Sequence, residues 1–215
     1  ILSTFQNVFS QAWSISAIKE FDKNDRDGFI GKMYNMMNFA MVIVCSGIMI
    51  LNIPIAKILY SKEFFEAWRF VPPLLLSVVF NAMALFIGSI FTAVKDTKAL
   101  SVSTLVGAAV NTVCNFILIY FGGAYGAALA TMIGYGVVLI IRHILLRKYI
   151  ALSIKWGRDI AVYALLVLQM LLSRMDLVGI WLQIAVIVVI PALYAKEILH
   201  LIGWFKEKIV PKNKA

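Results

Sequence analysis

The side chains that could do chemistry in this chain are mostly amides and hydroxyls, set at helical spacing inside apolar sequence. Ser103, Gly107, Asn111 and Asn115 recur every four residues, which puts them on one face of a helix. Ser77, Asn81, Ala84, Gly88 and Thr92 form a second stripe. Asn35 and Asn38 share a face, as do Asn7, Gln11 and Ser14. Polar groups are costly in lipid, so such stripes face other helices or a wet cavity. For any one residue, packing with an interhelical hydrogen bond is the plainer reading. For the set, a shared hydrophilic cavity is favoured, because every apolar segment from the first to the fourth carries amides. Gln11, Asn35, Asn38, Asn81, Asn111 and Asn115 are therefore the candidate path residues. Gly126, Ala130 and Gly134 form a small-residue row that suits close helix packing. Arg142 stands about one turn inside the basic end of its segment. It is expected to snorkel to the interface; the alternative has it face the cavity, where its fork would suit a phosphate. His143 beside it reads as interfacial.

Other chemistries fail on residue type or spacing. Asp25, Asp27 and Gly28 resemble part of a calcium loop, but aligned on that glycine the first and twelfth positions are Lys23 and Tyr34, which are not ligands. There is no phosphate-binding glycine loop, zinc-ligand spacing or nucleophile elbow, so no metal, cofactor or catalytic residue is expected. No acidic residue is expected deep in a span, and Asp96 reads as a turn or helix N-cap residue. Cys45 and Cys114 lie inside apolar segments and read as buried free thiols.

The elements that must position these residues follow from composition. The chain has 215 residues, 62% hydrophobic and 14% charged. Soluble domains are roughly 45–50% apolar and about a quarter charged, so a soluble enzyme, a nucleic-acid-binding domain and a disordered chain are excluded. Stretches without Asp, Glu, Lys or Arg cover residues 1–18, 33–56, 70–94, 99–141, 160–173 and 177–195. A span needs about 20 apolar residues, so the fourth stretch is two spans, with the reversal at Gly122-Gly123. Seven segments result. The first opens without methionine inside apolar sequence, and it is expected to begin within a spanning helix. The fifth is short, with Arg158 and Arg174 placed to snorkel at its ends. Pro54 should break or kink the second segment, and Pro191 the last.

The net charge of +9 is an orientation signal. Lys57, Lys62, Arg69 and Arg174 fall in the even gaps; the other sixteen of the twenty basic residues fall in the odd gaps and the tail. By the positive-inside rule the tail is cytoplasmic and the first segment runs from outside to inside.

The order of these features resembles the C-terminal half of the polysaccharide biosynthesis flippases, in the multidrug/oligosaccharidyl-lipid/polysaccharide exporter superfamily. The resemblance rests on Phe9-Ser10-Gln11-Ala12-Trp13 before a charged hairpin, on Ile58-Leu59-Tyr60 through Phe64-Phe65-Glu66-Ala67, and on Thr92-Ala93-Val94-Lys95-Asp96-Thr97-Lys98. It rests also on Asn111 and Asn115 followed by Gly123-Ala124-Tyr125-Gly126-Ala127-Ala128 with Ala130-Thr131. It runs over about residues 1–150, and its motifs are moderately specific to the superfamily and poorly specific for substrate.

The resemblance implies an all-α, polytopic membrane helix bundle. It would be the C-terminal lobe of a two-lobe, fourteen-helix transporter working by alternating access. Residues 1–150 would be core helices eight to twelve, the first of them truncated. Residues 151–215 would be two accessory helices and a basic cytoplasmic tail. The implied cargo is a polyprenyl-diphosphate-linked oligosaccharide, moved from the cytoplasmic to the outer leaflet of the plasma (inner) membrane for cell-envelope polysaccharide synthesis. Amides lining a cavity would bond the sugar hydroxyls. The partners would be that lipid-linked substrate, membrane lipid and an N-terminal lobe of the same chain; no nucleic acid and no enzyme activity is implied. A diphosphate site would lie mainly on that other lobe, with Arg142 the local substitute. The alternatives are a cation-coupled multidrug antiporter of the same superfamily, which calls for a buried carboxylate, and a membrane-embedded polysaccharide polymerase, which calls for a large outer loop.

Overall fold

A computed structural model describes residues 2–19, 28–60, 62–150, 155–175 and 177–195. Most of the charged hairpin after the first segment (20–27) and the basic tail from Lys196 onward lie outside these residues. The helices are α1 (Leu2–Lys19), α2 (Phe29–Ile50), α3 (Asn52–Leu59), α4 (Val71–Ala93), α5 (Thr97–Leu146), α6 (Trp156–Leu172) and α7 (Leu177–Leu193), with a 3-10 helix at Lys62–Arg69 between α3 and α4. Among the described residues the fold is all-α. Three of these helices, α2, α4 and α5, are long and apolar enough to cross a membrane.

α4 is the centre of the bundle. Its sequence is apolar nearly all round, the pattern of a helix packed on several sides. It lies against α1, α2, α5 and α6, and Leu76, Val79, Met83, Phe86, Ile87, Ile90 and Phe91 are buried along it. Pro72 and Pro73 sit in its first turn, where a missing N–H breaks no helical bond. α1 is pinned to α4 by Trp13, whose ring stacks on Phe86 at 4.1 Å and whose indole N–H donates to the Phe86 carbonyl at 3.1 Å. α7 packs on α2 and α6.

α5 is 50 residues long but is not straight. Gly123 has φ 52° and ψ −135°, open to glycine and strained for other residues, and the chain reverses there. The reversal expected at Gly122-Gly123 is thus found. The first arm (97–122) and the second (124–146) run antiparallel. Their seam shows it: a Cβ added at Gly107 would lie 2.1 Å from Val138 Cγ2, one at Gly134 2.8 Å from Asn111 Cβ, and one at Gly126 1.9 Å from the Leu118 carbonyl oxygen. The Gly126 row does pack closely, and its nearest neighbour is the end of its own hairpin.

The second segment breaks at Leu51, before its proline. Pro54 then occupies the first turn of α3, which tolerates it. Pro191 lies in the last turn of α7, where the Tyr194 N–H bonds to the Pro191 carbonyl at 3.1 Å.

Candidate functional site

The polar stripes point mainly at neighbouring helices. Ser103 and Gly107 are buried on the seam of α5, and Asn111 and Asn115 are half-buried there. Asn115 Nδ2 donates to Asn111 Oδ1 at 2.6 Å, and Asn111 Nδ2 reaches the Ala130 carbonyl at 3.5 Å. On α4, Ser77 and Gly88 are buried, Asn81 is half-buried and Thr92 is exposed. Cys45 is buried in α2 and Cys114 half-buried in α5; both are free thiols.

α1 differs. Its inner face buries Leu2, Gln6, Trp13 and Ala17. Ser3, Thr4, Asn7 and Gln11 lie on the opposite face, exposed, and among the described residues no other helix covers them. Of the candidate path residues, Gln11 is the one left open.

Arg142 lies in the second arm of α5 and is 5% exposed. Its side chain is enclosed by the protein. Its guanidinium turns toward α4 and the first arm of α5, with Nη1 donating to the Ala84 carbonyl at 2.6 Å, Nε to Ser103 Oγ at 3.1 Å and Nη2 to Thr104 Oγ1 at 3.0 Å. Among the described residues no carboxylate pairs with it. The absence of a side chain at Gly88 makes the room: a Cβ there would stand 2.8 Å from Nη1. Arg142 stands one turn from the end of α5, where an arginine in a bilayer costs less than the roughly 2.5–3.5 kcal/mol of a helix centre. A hydrogen bond to a charged group contributes about 1.5–3 kcal/mol, so three such bonds offset that cost without a counter-ion.

A second polar cluster joins α2, α5 and α6. Tyr34 of α2, 1% exposed, donates from its hydroxyl to Asp159 Oδ2 at 2.9 Å. The same oxygen lies 3.0 Å from His143 Nε2 of α5. His143 Nδ1 lies 3.0 Å from the Leu139 carbonyl. Arg158 pairs with Asp159 at 2.7 Å, both side chains nearly buried, and reaches Asn35 Oδ1 at 2.5 Å. Tyr163 donates to Asn38 Oδ1 at 3.0 Å. About two turns further along α6, Gln169 and Ser46 of α2 exchange two more bonds, at 2.8 and 3.0 Å.

This cluster gives Arg158 and His143 partners on other helices that the sequence reading did not supply, and it adds Asp159, in the first turn of α6 just before the apolar stretch 160–173. Asp159 is 3% exposed. The signal for it was available: Tyr34, Asn35 and Asn38 give α2 a polar face, and Asp159 and Tyr163 give α6 one with the same four-residue step.

Between α4 and α5, Asp96 is the N-cap, accepting from the Ala99 N–H at 3.0 Å. It also accepts from the Tyr149 hydroxyl beyond the far end of α5. That hydroxyl first, and the Ala99 amide next, hold its carboxyl below the usual carboxylate range. The hydrogen bond to Asp96 in turn raises the Tyr149 phenol above its ordinary value.

No family model matches the chain, and neither a curated protein nor a solved structure matches it.

Proposed function

We propose that the chain is the C-terminal lobe of a lipid-linked oligosaccharide flippase, moving a polyprenyl-diphosphate-linked sugar from the cytoplasmic to the outer leaflet by alternating access. The motif resemblance over residues 1–150 supplies the family. The observation that carries the reading is the open face of α1, where Ser3, Thr4, Asn7 and Gln11 are uncovered beside exposed Val8 and Ile15. Uncovered amides are costly toward lipid, so such a face belongs beside water or a second lobe. Beside a cavity it would offer donors and acceptors to sugar hydroxyls without fixed charge. In this reading the basic gaps face the cytoplasm of the inner membrane, the Gly122-Gly123 turn lies outside, and Asn81, Asn111 and Asn115 border the path from the α4–α5 side.

The test is translocation of a lipid-linked sugar in proteoliposomes by the full-length protein. Transfer of labelled headgroup to the opposite leaflet is the expected result. Failure to move any such lipid, together with ion-driven efflux of a cationic drug, replaces the flippase with the antiporter of the same superfamily. That second reading draws on one observation: Asp159 supplies the bundle with a buried carboxylate.

A further inference from the structure

The chain of hydrogen bonds from Leu139 through His143 and Tyr34 to Asp159 cannot be completed by a neutral imidazole together with an ionised carboxylate. A carbonyl oxygen only accepts, so His143 Nδ1 must carry a hydrogen to bond Leu139 at 3.0 Å. The Tyr34 hydroxyl has one hydrogen. If it is given to Asp159, at 2.9 Å, the Tyr34 oxygen must accept from His143 Nε2, at 3.0 Å, so that nitrogen must carry a hydrogen too. Every contact is then a hydrogen bond only when one proton is added to a neutral imidazole and an ionised carboxylate. That proton sits on His143 Nε2, or, with the bonds reversed through Tyr34, on Asp159. Remove it and the Tyr34 hydrogen can serve one neighbour or the other, never both.

We propose that His143, Tyr34 and Asp159 form a single-proton binding site joining the second arm of α5, α2 and α6. All three are buried, at 5%, 1% and 3% exposure, so water does not readily replace a lost bond. Arg158 donates to Asp159 Oδ1 from Nε at 3.0 Å and from Nη2 at 2.7 Å, and in the filled state proposed here the added proton is on His143. The other groups facing the site are Arg147 and Trp156, whose ring lies 4.8 Å from the imidazole, Tyr163 with Asn38, Asn35 on Arg158, and Tyr194, whose ring lies beneath the Arg158 guanidinium at 4.3 Å. Proton loss therefore cuts either the Tyr34–His143 link between α2 and α5 or the Tyr34–Asp159 link between α2 and α6, and occupancy of the site is tied to helix packing. The site does not depend on the cargo, and it stands or falls separately from the flippase reading.

The experiment is nitrogen NMR of the full-length protein in lipid nanodiscs, labelled at the histidine ring nitrogens, from pH 5 to pH 8.5. The signals lost in His143→Gln identify the residue. Both ring nitrogens protonated at the acid end, with loss of the Nε2 proton alone as pH rises, is expected. In Tyr34→Phe and Asp159→Asn that transition should move by at least about half a pH unit, since each removes a partner of the protonated form. A His143 ring in one protonation state across the whole range overturns the proposal. So does a transition that neither variant moves, because an isolated histidine would titrate the same way. The wild-type titration alone decides the first point if a variant fails to fold.

Discussion

Arg142 and Gly88 form a unit at the scale of single residues: a buried cation and the gap that admits it. Gly88→Ala puts a methyl 2.8 Å from Nη1 and 3.0 Å from Leu100 Cδ1, so the guanidinium must leave at least one of its three acceptors. The expected loss is about 1–3 kcal/mol, the usual range for an overpacked site. With Arg142→Met the obstacle is gone, and the same glycine substitution should cost markedly less. A double-mutant cycle read by SDS unfolding in mixed micelles should give a coupling of about 1 kcal/mol or more; additive losses would separate the two residues. In the sequence, Arg142 looked like an interfacial residue because it stands near a basic end. What decides its direction is the carbonyl of Ala84 and two hydroxyls on another stretch of chain. No local pattern encodes that meeting.

The α5 hairpin sets the next scale, and its glycines are not equivalent. Gly126→Ala drives a methyl into the Leu118 backbone, which cannot move aside, and should cost about 4 kcal/mol or more. Gly136→Ala meets only Phe80 at 3.6 Å, an ordinary contact, and should be neutral or stabilising by up to about 1 kcal/mol through helix propensity. SDS unfolding midpoints of the pair check this. The turn between α4 and α5 has its own pH signature. The Asp96 carboxyl is held below its ordinary range, so its contribution is present above the unfolded value of about 3.9 and is lost as pH falls through the lower native value. Asp96→Asn should therefore lower the melting temperature at pH 7, and the gap from wild type should close below about pH 4 in a fluorescence-monitored melt. The helices, the hairpin reversal and the Asp96 cap were legible because each is written in contiguous residues: a run of apolar side chains, two glycines, an aspartate just before a helix. The partners of the stripes were not. Spacing shows that Ser103, Gly107 and Asn111 share a face, and only the fold shows that the face meets residues 130–142.

At the scale of the molecule, the charge pattern makes a topological prediction. A reporter active only in the cytoplasm should work when inserted between Lys23 and Asp27 and fail at Gly122, where an added Cβ meets nothing within 4 Å. Equal signals at both sites would remove the proposed orientation. The sequence marked residues 151–215 as a separate accessory unit. The structure shows bonds between α2 and α6 that fasten this region to the core, by Tyr34 to Asp159, Asn38 to Tyr163 and Ser46 to Gln169. Those bonds also set a schedule. Their members lie 123 to 125 residues apart, whereas Arg142 and Ser103 within the α5 hairpin lie 39 apart and Asp96 and Tyr149 at its base 53 apart. A ribosome adding about 5–20 residues per second reaches α6 roughly 6–25 s after α2. For that interval α2 is in or near the bilayer with Tyr34, Asn38 and Ser46 awaiting their partners, while α5 can already close on itself. A helix made long after the second is thus one that completes it.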